Sequence, residues 1–549
     1  MSTESFILHP SSFILPEAPL VLAIDIGSSS ARVVLYDRRG HAIDGGVAQE
    51  RYAIRTTADG AAEDDPDAAI ERAARCVDAV LRQAGPLVAQ IGAVAVDTLV
   101  STILAIDAAG RPLTPLITYA DTRSAVDADA LRRTLDERAV HDRTGCLLRT
   151  SYWPARLAWV RRTRPDIWRM AARWITLGEY LELRLFGRCR VSFSVASWSG
   201  LLDRRRLAWD APLLDLLGVA PDQLSPLVDV DEPLAGLIKP YAARWPALRA
   251  LPWFPAVGDG AAANVGSGCT SHSRMALTLG TTGALRVVLP DIGRDTETRR
   301  HGDKEIDNDE VAVSPGLRVS PALARVPRGL WCYRVDRRHA LLGGATSEGG
   351  NVYAWLRQTI RLGDPAEVEA ALSACPPDGH GLTVLPFLAG ERSPDWAGNV
   401  QATLHGLTLA TTPIAILRAS LEAVAYHFAV IFERLGARDL GLVEDSQASS
   451  PQPQTSHIVA SGSALLRSPA WMQIFADVLG RTVVASAEPE ATSRGAAVLA
   501  LHALGALPSI EAAPVADGPM YEPDGARHAI YQAAIVRQRW LYDRLIAAG

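Results

Sequence analysis

Two strand–turn–strand segments of similar pattern lie in the two halves of the chain, and this near-repeat constrains the fold more than any other feature. The first, VLAIDIGSSSARVVLYD, runs from Val21 to Asp37, and the second, RMALTLGTTGALRVVLP, runs from Arg274 to Pro290. Each contains an apolar run, a turn of glycine with serine or threonine, and a second apolar strand with one arginine. The pattern predicts a duplicated domain with a cleft between its halves.

The length of the chain also requires more than one domain. A chain of 549 residues exceeds a single hydrophobic core, because such cores stop growing at roughly 250 to 300 residues. We expect a disordered extension over residues 1–19, an N-terminal domain over 20–270 and a C-terminal domain over 271–549. Two segments with little apolar content, 294–310 and 444–456, are expected to be polar loops.

Helical patterns alternate with short strands along both halves, which is typical of α/β proteins. PDAAIERAARCVDAVLRQAG and DADALRRTLDERAV have helical periodicity, whereas IGAVAVD is strand-like. A long helix is predicted from Pro413 to about Leu435, with Thr412 as its N-cap. Another is predicted to begin at Ser468-Pro469 and to end at Gly480.

Composition narrows the range of partners. With 48% hydrophobic residues, 21% charged residues and a net charge of -6, the chain falls within the usual range of soluble proteins and does not indicate a nucleic-acid surface. The apolar run from Gly495 to Leu507 is shorter than the about 20 residues that span a membrane. Six well-separated cysteines without a CxxC pair favour a reducing cytoplasm over a disulfide framework or a zinc site.

The two common nucleotide-binding motifs that depend on lysine are not indicated. Lysine occurs only at Lys239 and Lys304, and neither lies in a GxxxxGK[ST] loop or in a kinase-type strand. A GxGxxG fingerprint does not follow the first strand either, which disfavours dinucleotide binding. Any phosphate site must therefore be built from other residues.

The first hairpin places a carboxylate before a turn with several hydrogen-bond donors. The backbone and hydroxyl groups of a Gly-Ser-Ser-Ser turn suit phosphate oxygens, and Asp25 at the strand end can hold a hydrated Mg²⁺. The alternative is an ordinary hairpin in which Asp25 caps the turn. The second turn, TLGTTG, favours the phosphate interpretation, because two facing turns can hold a polyphosphate in a cleft.

A second candidate carboxylate lies between glycines in VGDGAAANVGSG. Asp259 can approach a ligand closely there and could act as a general base toward a hydroxyl group. An Asp-Gly turn is the structural alternative. Two further glycine clusters, LLGGATSEGG and VASGSALL, precede helices and suit nucleotide oxygens, although such glycines often only end a strand. The segment PFLAGERSPDWAGN, 386–399, is expected to be a rigid structural loop.

From about Leu20 to Leu507, the order and spacing of these motifs resemble the FGGY family of carbohydrate kinases, and within it most closely the gluconate kinases. The likeness is carried by LITYADTRSA, EYLELRLFG, SVASWSGLLD, LTLGTTGALR and FLAGERSPDW. It implies two actin-like (ribonuclease H-like) domains around an ATP cleft, with Mg²⁺ as cofactor. The implied reaction transfers the γ-phosphoryl group of ATP to a sugar hydroxyl group.

The resemblance also implies roles for individual residues. Asp259 matches the catalytic base, and Asp25 matches the position that holds Mg²⁺ through water. The residues that match the ATP and phosphate motifs are Asp25, Gly27, Ser28, Ser29, Ser30, Arg32, Gly280, Thr281, Thr282, Gly350, Gly462, Ser463 and Arg467. The expected substrate-side residues are Thr98, Ser101, Asp121 and Arg123, with a structural ion pair between Asp121 and Arg123 as the alternative.

The sugar itself is not fixed by these residues. Xylulose kinases carry glutamine and histidine where this chain has Leu99 and Ser101, which disfavours xylulose. Gluconate kinases tend to carry histidine at Ser101 and lysine at Gly178, so D-gluconate is favoured by overall pattern rather than by the pocket. The alternatives are a pentulose or polyol kinase, a non-catalytic sugar sensor and an actin-like ATPase.

The expected partner is a small sugar or sugar acid. Binding to nucleic acid or to a membrane is not expected, and the protein could form a homodimer.

Overall fold

The computed structural model describes residues 19–290, 325–436 and 457–547. Apart from residue 19, the expected N-terminal extension lies outside these ranges, as do both expected polar loops, 294–310 and 444–456. The strands are β1 Leu20–Ile26, β2 Ser30–Tyr36, β3 Ala42–Arg51, β4 Arg55–Thr56, β5 Ala62–Asp64, β6 Ile91–Thr98, β7 Leu104–Ile106, β8 Leu116–Ile117, β9 Arg173–Ile175, β10 Val191–Ser192, β11 Leu202–Asp203, β12 Ala208–Trp209, β13 Leu227–Val228, β14 Val257–Gly258, β15 Arg274–Leu279, β16 Gly283–Pro290, β17 Trp331–Arg334, β18 His339–Thr346, β19 Thr383–Leu385, β20 Thr403–His405, β21 His457–Ser461, β22 Val483–Ser486 and β23 Asp517–Tyr521.

The helices occupy most of the chain between the strands. They are α1 Pro66–Ala84, α2 Ala125–Thr134, α3 Glu137–Thr144, α4 Trp153–Thr163, α5 Pro165–Met170, α6 Leu177–Phe186, α7 Phe193–Ser197, α8 Ala211–Leu217, α9 Lys239–Arg244, α10 Asp259–Gly266, α11 Gly350–Thr359, α12 Pro365–Ala374, α13 Pro413–Arg434, α14 Ser463–Leu466, α15 Pro469–Leu479, α16 Ala491–Ala503 and α17 Gly525–Tyr542. A π-helical turn, Asp543–Ala547, follows α17.

Two larger sheets have the same internal order, which confirms the predicted duplication. The first runs β14-β6-β1-β2-β3, and the second contains the equivalent order β22-β21-β15-β16-β18. In each sheet the opening hairpin is antiparallel and its first strand also pairs in parallel with a later strand, β6 or β21. In the second sheet β17 and β23 extend the two edges.

Helix ends follow the capping signals in the sequence. The Thr412 hydroxyl accepts a hydrogen bond from the amide of Ala415 at the start of α13, as predicted. Ser468 caps α15, and Gly480 ends it in a left-handed conformation. The segment predicted as one helical stretch, DADALRRTLDERAV, contains the end of α2 and the start of α3. The break occurs because Asp136 caps a new helix by accepting from the amide of Ala139.

Helix α13 is long and apolar enough to cross a membrane by length and composition alone. In the structure it lies in the core of the second half of the chain, where Leu417, Leu421, Phe428 and Ile431 are fully buried. Those contacts account for its apolar composition. The helix is therefore part of the protein interior here.

Helices α10 and α16 pack against each other between the two large sheets. Helix α16, although late in the chain, also packs on β1 and β6 of the first sheet. A Cβ at Gly266 would lie 1.7 Å from the carbonyl oxygen of Ala491, and one at Gly495 would lie 1.8 Å from that of Ala262. Only glycine permits this approach, so these two positions fix how closely the helices meet. The division of the chain into domains at residues 270 and 271 stays a prediction.

Candidate active site

Three aspartates meet where the strands of the first sheet end. Asp25 in β1 is level with Asp97 in β6, and Asp97 is level with Val257 in β14, two residues before Asp259. Because neighbouring parallel strands point level residues to the same face, the carboxylates of Asp25 and Asp97 lie together. The negative charge of Asp25 also acts on Asp259. The end of the sheet therefore concentrates negative charge.

Asp97 is the most buried member of this group, and its role was not predicted. Its side chain is 0% exposed, and no hydrogen-bond donor among the described residues faces either carboxylate oxygen. Burial raises the pKa of Asp97 well above its usual value, and the neighbouring Asp25 raises it further. Burial also raises the pKa of Asp25, but contact with Asp97 and the charge of Arg32 oppose that shift. Of the two carboxyl groups, Asp97 therefore holds a proton more readily than Asp25.

Asp259 is the first residue of α10 and is partly exposed to the cleft. Its two glycine neighbours allow the indole ring of Trp198 to pack against the backbone. A Cβ at Gly258 would lie 2.8 Å from the indole nitrogen, and one at Gly260 would lie 3.0 Å from the ring. Burial raises the pKa of Asp259 to about 6, although the amide of Gly260 and the charge of Arg286 oppose the shift. The carboxylate is therefore mostly ionised at neutral pH and can still accept a proton.

The first predicted turn is closed by its own backbone and supported by a neighbouring tyrosine. The Gly27 amide donates to the Ser30 carbonyl at 3.0 Å. The Tyr52 amide donates to the Ser29 carbonyl at 3.0 Å, and the Tyr52 hydroxyl donates to the Gly27 carbonyl. Ser28 is exposed at the tip of the turn. Tyr52 was not predicted, because it follows β3 and only the sheet brings it to the turn.

The second turn is held by two loops that contain the predicted glycines. The Gly350 amide donates to the Gly280 carbonyl at 2.7 Å, and a Cβ at Gly350 would lie 2.5 Å from that of Ala464. Gly462 has a φ of +93°, and its Cβ would lie 2.4 Å from the carbonyl oxygen of Leu279. These close approaches join the second turn to the starts of α11 and α14.

Two cavities meet at the second turn. The smaller, of about 290 Å³, is lined by Ser28, Asp259 and Thr282 among others. The larger, of about 800 Å³, is lined by Gly280, Thr281, Gly350, Ser463 and Arg467 together with Tyr353 and Trp355. One turn thus borders both cavities. An elongated ligand could lie in the larger cavity and extend past the turn toward Asp259.

Several predicted residues lie beside these cavities without lining them. Arg32 forms an ion pair with Glu490, at the start of α16, and lies next to Asp25. The backbone that supports the two turns contains four more of them: Gly27, Ser29, Ser30 and Gly462.

Ser101, by contrast, lines the smaller cavity. Its hydroxyl group donates to the Trp198 carbonyl at 2.7 Å.

Thr98, which was predicted to contact the substrate, lines neither of these two cavities. Thr98 is 0% exposed, and it lies beneath Gly178 of α6. Because side chains alternate along a strand, Thr98 points to the face of the sheet opposite Asp97. It therefore packs in the core and does not reach the cleft.

Asp121 and Arg123, which were also predicted on the substrate side, form an ion pair with each other. Arg123 forms ion pairs with Asp121 at 2.6 Å and with Glu63 at 2.5 Å, and the amide of Ala62 donates to Asp121. Neither residue lines the smaller cavity, which favours the alternative of a structural ion pair. Tyr119, two residues before Asp121, lines the cavity instead.

The smaller cavity has walls that the sequence did not indicate. Trp198 stacks on Tyr333 with ring centroids 3.7 Å apart, and Tyr333 stacks on Trp331 at 4.5 Å. Arg286 of the second hairpin and Arg392 of the loop 386–399 also line this cavity. The repeated arginine in the two hairpins was a signal for Arg286. Nothing in the pattern of GERSPDW distinguished a cavity residue from a structural one.

The chain matches the models of the FGGY family of carbohydrate kinases, the N-terminal domain over residues 20–266 and the C-terminal domain over residues 325–504. A protein named gluconokinase from Bacillus subtilis is 27% identical over 503 residues, covering 90% of this chain and 89% of that protein. A protein named glycerol kinase from Aromatoleum aromaticum is 29% identical over 499 residues, covering 89% and 91%.

Solved structures have the same fold over nearly the whole chain. A ligand-bound xylulose kinase from Lactobacillus acidophilus superposes with a TM-score of 0.82 and 22% identity, covering 96% of this chain and 99% of that one. A gluconate kinase from the same organism gives a TM-score of 0.81 and 22% identity, covering 96% and 98%. The expected pair of actin-like domains is confirmed by these superpositions.

Proposed function

Because this chain belongs to the FGGY family of carbohydrate kinases, we propose that it phosphorylates a sugar acid, with D-gluconate as the first candidate. The family consists of phosphotransferases that use ATP and an alcohol group as acceptor. The observation that carries the proposal is that one cavity is lined by Ser28 of the first turn, Thr282 of the second turn and Asp259. A donor phosphate, an acceptor hydroxyl and a base can meet there.

In the proposed mechanism, the ionised carboxylate of Asp259 takes the proton from the attacking hydroxyl group. Its pKa of about 6 suits this role, because the group is mostly unprotonated near pH 7 yet basic enough to accept a proton. The hydroxyl oxygen forms a bond to the γ-phosphorus as the bond to the β-phosphate bridging oxygen breaks. Arg286, whose charge acts on Asp259, lies beside the developing charge.

The nucleotide is proposed to occupy the larger cavity. Its walls include Tyr353 and Trp355, which offer flat apolar surfaces to a base, and Ser463 and Arg467, which offer hydrogen-bond donors. Phosphate groups then lie along the second turn, whose backbone amides favour negative charge. In this arrangement the γ-phosphate reaches the smaller cavity at Thr282.

The residues around Asp25 fit Mg²⁺. Asp25 supplies a carboxylate beside the first turn, and the neighbouring Asp97 has no hydrogen-bond donor among the described residues for either oxygen. Hard oxygen ligands of this kind suit Mg²⁺, which keeps much of its water shell when bound. Asp25 would hold the ion through water, with Asp97 beside it on the neighbouring strand. Mg²⁺ bound with ATP would neutralise charge on the β- and γ-phosphates.

The choice of a sugar acid is supported by the name of one relative and by the two arginines, Arg286 and Arg392, that line the smaller cavity. The Bacillus subtilis relative is named a gluconokinase. A pentulose or polyol kinase is the second candidate, because other similar proteins are named glycerol kinase or xylulose kinase.

The proposed location is the cytoplasm. All six cysteines lie in the described part of the chain and are free thiols, which fits a reducing compartment.

A panel assay tests the proposal. Purified protein with ATP and Mg²⁺ should release ADP in response to D-gluconate faster than to xylulose, ribulose, glycerol or erythritol. Sugar-independent ADP release provides the background for each measurement. Preference for a neutral sugar would replace gluconate by the second candidate. Binding of sugar and nucleotide without ADP release would contradict the assignment of catalysis.

A further inference from the structure

Arg392 presents a positive charge to the smaller cavity, and its guanidinium group lies 5.9 Å from the ring centroid of Trp396. Its side chain lines the cavity that Asp259 also lines, and it forms no ion pair with any residue that the structure describes. The acidic residues nearest in sequence are already engaged. Glu391 accepts a hydrogen bond from Tyr542 at 2.5 Å, and Asp395 pairs with Arg434 at 2.6 Å. The charge of Arg392 is therefore available to a ligand.

The loop that carries Arg392 is held in place by its own backbone. The Ser393 amide donates to the Ala345 carbonyl at 2.9 Å, and the Trp396 amide donates to the Arg392 carbonyl at 2.7 Å. The indole nitrogen of Trp396 donates to the Gly329 carbonyl at 2.7 Å. These bonds fix the base of the Arg392 side chain relative to the second sheet. Such a fixed position favours recognition over nonspecific attraction.

Arg392 and Asp259 line the same cavity as an aromatic wall that contains Trp198 and Tyr333. Trp198 packs on the glycines that flank Asp259, and its ring stacks on Tyr333 at 3.7 Å. The hydroxyl groups of Tyr333 and Tyr152 lie 2.6 Å apart, and the charge of Arg392 opposes the burial that raises the pKa of both tyrosines. The charge of Arg392 therefore acts on the two tyrosines, whereas Trp198 packs beside Asp259.

We propose that Arg392 binds the carboxylate of a sugar acid whose hydroxyl group at the far end of the molecule lies at Asp259. The inference rests on the proposed phosphorylation of a sugar acid. A guanidinium group can form two parallel hydrogen bonds with a carboxylate, and charge-assisted bonds of this kind are stronger than neutral ones. A neutral polyol leaves the charge of Arg392 without a partner. The residue thus selects acids by attraction between its charge and the carboxylate.

Two substrates that differ at one carbon test this inference. D-Glucitol has a hydroxymethyl group where D-gluconate has its carboxylate. The Arg392→Gln variant should lose roughly 10- to 100-fold in kcat/KM for gluconate, mainly through KM, because a charge-assisted bond is lost. Its kcat/KM for glucitol should change less than about 3-fold, since no carboxylate is present. Arg392→Lys should retain part of the gluconate activity, because it keeps the charge but not the paired geometry.

Controls separate recognition from folding and from the proposed function. Arg328→Gln removes an exposed arginine near the same loop and should leave the ratio of the two substrates unchanged. Thermal unfolding of both Arg392 variants reports whether the fold survives. Calorimetric titration with gluconate measures binding without turnover. Equal losses for acid and polyol, or undiminished gluconate binding by a folded Arg392→Gln protein, would overturn the inference.

The wild-type panel distinguishes failure of the inference from failure of the proposed function. If the wild type prefers another sugar acid and Arg392→Gln loses that preference, the role of Arg392 stands and only gluconate is replaced. If the wild type phosphorylates only neutral sugars, the proposed substrate class and the role of Arg392 both fail. If it phosphorylates gluconate and Arg392→Gln keeps the acid preference, the inference alone fails.

Discussion

At the scale of single residues, the pKa of Asp259 determines the pH range in which its carboxylate can accept a proton. Burial raises that pKa to about 6, and a base works only in its deprotonated form. The value of kcat/KM should therefore rise about tenfold per pH unit up to pH of about 6 and level off above about 7. Initial rates across this range at saturating ATP measure the profile. A flat profile between about pH 5 and pH 7 would contradict the assignment of Asp259 as the base.

Asp97 should make stability depend on pH. The folded state raises its pKa, so its contribution is complete below the unfolded pKa of about 4 and is lost as pH rises through the folded-state value. Asp97→Asn removes this group, so its unfolding free energy should decline less between pH 5 and pH 8 than that of the wild type. Urea unfolding at both pH values measures the difference. Asp215→Asn, at an exposed position, is the control, and equal pH dependence in Asp97→Asn and wild type would refute the prediction.

Residues of the candidate site that the structure brings together were indicated by the sequence only where a motif specified the backbone. Asp25, Ser28, Asp259 and Thr282 follow from glycine-rich turns, and the structure brings them together. Thr98 was predicted as a substrate contact and Asp97 was not considered. Adjacent residues of a strand face opposite sides of the sheet, and which side faces the cleft depends on the packing of the sheet.

At the scale of elements, the glycine contacts around the second turn predict that a methyl group at Gly350 will weaken ATP binding. In Gly350→Ala, the added Cβ would lie 2.5 Å from that of Ala464 and 2.7 Å from the Gly280 carbonyl oxygen, so the turn must shift. We expect KM for ATP to rise on the order of 10-fold, equivalent to about 1.4 kcal/mol, with a smaller effect on KM for the sugar. Steady-state kinetics measure both constants.

Gly525→Ala is the matched control for that experiment. A Cβ at Gly525 meets nothing within 4 Å, so this substitution should leave both constants unchanged. An unchanged KM for ATP in a folded Gly350→Ala protein would show that the turn does not position the nucleotide.

Element boundaries were largely predictable, because they depend on local signals. Thr412 and Ser468 cap the helices that were predicted to follow them, and both hairpins occur as expected. The break between α2 and α3 was not predicted, although Asp136 supplied the capping signal. The loop 386–399 was expected to be rigid, and its backbone contacts agree, but its route past the cavity depends on the second sheet.

At the scale of the whole molecule, the repeated hairpin predicted the architecture, because each copy begins a sheet with the same strand order. The docking of α16 on the first sheet could not be predicted, since it follows from backbone contacts at Gly266 and Gly495 that are distant in sequence. Those contacts place elements of both halves around one cleft. The two turns and Asp259 can act on one substrate only because of this arrangement.

Phosphorus NMR of the reaction products tests the central claim most directly. Wild-type protein with ATP, Mg²⁺ and D-gluconate should produce the signal of a sugar phosphate ester as the γ-phosphate signal declines. Asp259→Asn should bind ATP with unchanged affinity and form the ester at least about 100-fold more slowly, because the general base is lost. Ester formation at the wild-type rate by Asp259→Asn, or free phosphate as the only product of the wild type, would contradict the account.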